Sequence, residues 1–139
     1  AASAEVETMA EVGDISGLQG LLRSSDDSSL SSAPIGPGGS FEVTHTVSPG
    51  NDYFSYIGMV LPSSDTFVGN NSPPTFNVSQ LLAASGGQPI AIEVTRLYDA
   101  GTEVNDFLTS PGGELVGAPA GVTENGVAEN SVITFVTDN

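Results

Sequence analysis

Apolar residues recur at three- and four-residue intervals from Glu5 to Ser24, where Val6, Met9, Ala10, Ile15, Leu18, Leu21 and Leu22 follow the period of a helix. Gly13 interrupts the run, and Asp14 is placed to cap a second short helix reaching Leu22. The pattern therefore predicts a helical start over residues 5–24, broken near Gly13. Its apolar face needs a cover, either the face or end of a sheet or a neighbouring subunit. After a loop rich in Ser, Asp, Pro and Gly the period changes to two. From Ser40 to Val47, Phe41, Val43, His45 and Val47 fall on one face and Glu42, Thr44 and Thr46 on the other, which predicts a half-buried strand. Tyr53 to Leu61 is apolar on both faces and predicts a central strand. Pro89 to Tyr98 predicts another, with Ile90, Ile92 and Val94 on one face, and Val132 to Val136 a last one that pairs inside the domain, the commoner outcome, or adds to another subunit's edge. The run Val78 to Ala84 fits a helical turn or a sheet edge.

Candidate chemistry concentrates where the third of these strands ends. Leu97 to Asp106 brings Asp99, Glu103, Asn105 and Asp106 into one glycine-bearing loop. Carboxylates crowded in this way repel, and a hard cation such as Ca²⁺, which takes six to eight oxygen ligands, relieves the repulsion. The loop is not an EF-hand, because Ala100-Gly101-Thr102 follows Asp99 where that motif alternates acids. Asp65 leaves a strand end and is expected to meet Asp99 at the same pole. Phe67 is expected to plug the core beneath that loop, and His45 to be structural.

Three stretches carry a family resemblance: Pro34 to Val43 (PIGPGGSFEV), Leu61 to Gly69 (LPSSDTFVG) and the 97–106 loop. Together they resemble the spondin N-terminal domain in its short bacterial form, over roughly Thr8 to Pro111. The resemblance implies an all-β fold, an antiparallel β-sandwich like that of calcium-dependent membrane-targeting domains, spanning residues 39–137 of a single domain behind the helical segment. It also implies Ca²⁺ held by loops at one end and, from the animal relatives, an extracellular matrix or adhesion setting. Asp65, Asp99 and Glu103 match the family's cation-binding acids, and Asn105 adds an amide oxygen. The animal domains carry Asp where Glu103 stands and also have cysteines, which this chain lacks.

Composition narrows the function classes. Seventeen acids against two basic residues give a net charge of −15, which disfavours nucleic acid and anionic membranes as direct partners and favours a cation. Without cysteine there is no disulfide, thiolate metal site or cysteine nucleophile. Mean hydropathy is +0.06, yet no run of 18 apolar residues is present to span a membrane. The opening Ala1-Ala2-Ser3-Ala4 resembles the mature side of a signal-peptide cleavage, so export to the cell surface or medium is expected.

Acid pairs such as Glu42 with Glu93, or Asp99 with Glu103, could be nominated for glycoside hydrolysis, but sugar sites normally bring Trp and this chain has none. With no phosphate loop or Ser-centred nucleophile motif either, an enzyme is not expected. The expectation is an exported calcium-binding domain for adhesion or matrix assembly, with metal ligands Asp65, Asp99, Glu103 and Asn105. The sequence does not say whether its surface partner is a protein, a polysaccharide or another copy of the chain. The alternative is a self-assembling, homo-oligomeric subunit of an extracellular fibre.

Overall fold

The computed structural model describes residues 1–22, 34–45, 52–60, 63–70, 76–92, 96–105 and 127–136. Its elements run α1 (Ala4–Val12), α2 (Ser16–Leu22), β1 (Ile57–Met59), β2 (Thr66–Gly69), α3 (Val78–Ser85), β3 (Leu97–Asp99) and β4 (Thr134–Phe135). The strands form one open antiparallel sheet in the order β1-β2-β3-β4.

The helical start is built as its residues dictate. The Ser3 hydroxyl caps α1 by accepting from Val6 N, and Glu5 and Glu7 place negative charge in the first turn, where the helix dipole favours it. Gly13 ends the helix in the left-handed region at φ 69°, its N–H donating to Met9 O at 3.0 Å. Asp14 accepts from Ser16 N at 2.8 Å at the entry to α2, as its capping position predicts. The open case at Val78 to Ala84 resolves as α3, capped by Asn77, which accepts from Gln80 N, and closed by Gly86.

Residues paired across an antiparallel ladder share a face, so Met59, Phe67, Tyr98 and Phe135 form one row through the pairs Met59–Phe67, Phe67–Tyr98 and Tyr98–Phe135. The Phe67 and Tyr98 rings stack at 5.5 Å. Helix α1 packs on this row. Met9 and Ala10 are buried with Phe67 and Ala100, while Val6, Ile15, Leu18, Met59 and Tyr98 close around them. The apolar face of the helical start therefore finds its cover on the sheet, and Phe67 is the core residue it was expected to be.

The expected β-sandwich is not what the chain forms. Three helices and one open sheet make up the described elements, and a helix covers the core face of that sheet where a second sheet was expected. Alternation tells which side chains would share a face, but not that a partner strand exists to bury them. Phe41 and Val43 remain 46% and 44% exposed, and residues 41–45, His45 among them, have no regular structure. The strand expected from Tyr53 to Leu61 shrinks to β1 and lies at an edge, not the centre. Its first half bonds elsewhere: Phe54 N donates to Phe76 O, Val78 N to Asp52 O, and Tyr56 N to Asn70 Oδ1. Residues 89–92 form no strand, whereas β3 does deliver the chain into Asp99. The final strand pairs internally with β3, as expected.

One glycine fixes how β3 turns into the loop after it. Gly101 adopts φ 68°, and a Cβ there would stand 2.8 Å from Val132 O, while its own carbonyl accepts from Ser131 N at 2.8 Å. Gly101→Ala is therefore expected to cost about 1–3 kcal/mol for the backbone conformation alone. The displaced Val132 carbonyl adds to that. An unchanged urea midpoint for the variant would contradict this account.

Candidate functional site

The turn before β2 is pinned by Ser63, whose hydroxyl donates to Val60 O at 2.6 Å and accepts from Thr66 N at 3.1 Å. This presents Asp65 to the loop after β3. Asp65 is wholly buried, at 0% exposure, and its Oδ2 accepts from Thr102 N at 2.8 Å, Glu103 N at 3.1 Å and Thr102 Oγ1 at 3.3 Å. Its main-chain oxygen accepts from Ala100 N at 3.1 Å. Thr102 and Glu103 thus aim two backbone N–H groups at the carboxylate, an arrangement that favours negative charge. The other oxygen, Oδ1, is buried and has no hydrogen-bond partner.

The expected quartet does not assemble as one group. Asp99 pairs with Thr66, next to Phe67 in β2, and so projects from the opposite sheet face to Phe67. There its Oδ1 accepts from Gly101 N at 2.6 Å, and its Oδ2 accepts from the Asn105 side-chain amide. Asn105 is exposed and gives Asp99 its nitrogen. Glu103 is only 5% exposed and joins Asp65 through its own backbone N–H. Asp106 lies outside the described residues. Among the described residues, no three acidic, histidine or cysteine side chains are drawn together as a ready-made metal cage.

A further acid enters from the helix. Glu11 stands at the end of α1 beside the buried Met9 and Ala10, and the negative charge of Asp65 acts on it. Burial pushes its carboxyl above the usual range, the charges of Glu7 and Asp65 add to the rise, and the nearby Thr102 hydroxyl opposes it. A raised folded-state value means that Glu11 favours folding below its unfolded pKa. That contribution is lost as pH rises through the folded-state value. Residue spacing gave no sign of this neighbour, because only the docking of α1 on the Phe67 face brings Glu11 to Asp65.

The remaining described surfaces offer less chemistry. A groove of about 410 Å³ between α3 and residues 87–92 is lined by apolar groups such as Phe54, Leu81, Leu82, Ile90 and Ile92, with Gln88 its one polar side chain. Arg96 lies over the Phe135 ring at 5.5 Å. No helix among the described residues is long and apolar enough to cross a membrane. No protein-family model, curated protein or solved structure matches this chain.

Proposed function

We propose that this chain is a non-enzymatic, exported domain that binds calcium at the pole formed by Asp65 and the 99–105 loop, in the service of surface attachment or matrix assembly. The observation that carries the reading is Asp65, a carboxylate removed from water with one oxygen held by three donors and the other by none. A buried charge is costly unless it is paired. The chain offers two basic residues against 17 acids, and the one among the described residues, Arg96, is exposed over Phe135. A hard divalent cation is the counter-charge such a chain can recruit.

Asp65 and Glu103 supply carboxylates in this reading, with backbone carbonyls and water filling the remaining positions. Asp99 and Asn105 hold the loop in shape by bonding to one another. Few carboxylates and no preformed cage put the affinity in the range of extracellular modules, on the order of 10⁻⁴ to 10⁻³ M.

Thermal melts in EDTA, calcium and magnesium test the reading. Calcium at a hundredfold excess over Kd is expected to add about 2.7 kcal/mol, a rise of roughly ten degrees, with magnesium well behind. Asp65→Asn is expected to remove the calcium response. Identical melts in EDTA and calcium, for protein shown by metal analysis to carry no metal, would end it.

A further inference from the structure

The acids of this chain are unevenly placed. Between Asp52 and Glu93 the only charged residue is Asp65, and Asp65 is wholly buried. Whatever this stretch exposes is therefore uncharged, on a chain whose formal charge is −15. It is also apolar. Phe54, Leu82, Ile90 and Ile92 line the groove beside α3 and are 39% to 45% exposed, although residues of their kind are ordinarily covered. Exposed Tyr53 adjoins them, since it bridges to Asn77, the cap of α3, and the Phe54 and Phe76 rings each lie 6.0 Å from that of Tyr56. An exposed apolar patch of this kind marks an interaction surface, and the centre of a protein–protein interface is where charge is depleted and aromatic residues gather.

We propose that two copies of the chain pair through this face about a two-fold axis, each covering the other's exposed Phe54, Leu82, Ile90 and Ile92. The charge pattern selects a second copy over an unrelated partner. A basic partner would gain by facing acids, and this face offers it none. A partner that itself carries −15 is penalised wherever like charges meet, so it can approach only where the acids are missing. A two-fold contact uses the same patch on both copies, and an uncharged patch meets itself without repulsion. The acids elsewhere on the two copies still repel at longer range, and salt screens them, so pairing strengthens as salt rises.

Sedimentation equilibrium of the whole chain in EDTA, over a range of concentrations in low and high sodium chloride, tests the proposal independently of the calcium site. The variants are Leu82→Glu, Ile90→Glu and, as an equal charge change on an exposed side chain elsewhere, Val127→Glu. The parent is expected to reach the mass of a dimer, and to do so at lower concentration in high salt. Leu82→Glu and Ile90→Glu each place two charges in the dimer interface and are expected to weaken pairing on the order of tenfold or more, with melts of dilute protein showing that they are folded. Ile90 lies outside any helix or strand, so its variant tests the face even if a charge in α3 disturbs that helix. Val127→Glu is expected to pair as the parent does. A parent that stays monomeric at every concentration and salt, or a dimer that Leu82→Glu and Ile90→Glu leave intact, would overturn the proposal. So would an equal loss in Val127→Glu, which would make total charge and not this face the cause.

Discussion

Asp65→Ala is expected to destabilise the fold by about 3–5 kcal/mol, a large share of the roughly 5–15 kcal/mol that holds an ordinary domain together. The alanine takes away the acceptor for Thr102 N, Glu103 N and the Thr102 hydroxyl together. Each buried donor left unsatisfied costs about 1–3 kcal/mol, partly offset because a buried negative charge also disappears. Asp65→Asn separates the two contributions. Its amide oxygen keeps an acceptor there while the charge is gone, so it is expected to stay within about 1 kcal/mol of the parent. Urea denaturation of both variants decides the matter. If Asn proved as damaging as Ala, the charge and not the acceptor would be what the 100–103 loop is folded around.

Phe67→Ala is expected to cost about 3–5 kcal/mol, since it empties the centre of the Met59–Phe67–Tyr98 row beneath Met9 and Ala10. For a chain of this length that is a drop of roughly 10–20 °C in Tm. Phe41→Ala, a side chain 46% exposed in a segment with no regular structure, is expected to change stability by no more than about 0.5 kcal/mol. The contrast bears directly on the architecture. In a sandwich with a strand over residues 40–47 both phenylalanines would be core residues, whereas with α1 as the cover only Phe67 is. Comparable losses in the two variants would argue for a second sheet after all.

These cases also show how far the chain can be read unaided. The helical start is legible because its signals are local: a serine cap, apolar residues three and four apart, and a glycine able to take positive φ at the break. Phe67 and the entry of β3 into Asp99 are legible for the same reason. Which alternating segments become strands is not, because a strand needs a partner, and pairing is decided by residues far away in the chain. Tyr53 to Tyr56 has a strand's composition, yet its backbone bonds to the residues that lead into α3 and to Asn70.

The site divides along the same line. Asp65 meets the backbone N–H of Glu103, since the β2–β3 pairing sets the turn before one strand beside the loop after the other. Asp99 lies near them in sequence but is directed to the opposite sheet face from Phe67 by a one-residue difference in register with Thr66. Glu11 is distant in sequence from all of them and reaches Asp65 only because α1 docks where it does. A composition of 17 acids and two bases does not say which carboxylates would gather at one place in the fold.

The most direct test of the central claim is calcium titration calorimetry on metal-stripped protein, run side by side on the parent and Asp65→Asn, with both variants shown to be folded. The account predicts one calcium per chain for the parent, with a Kd on the order of 10⁻⁴ to 10⁻³ M, and no binding for Asp65→Asn. Equal calcium binding by the two proteins, or none by the parent, would contradict it.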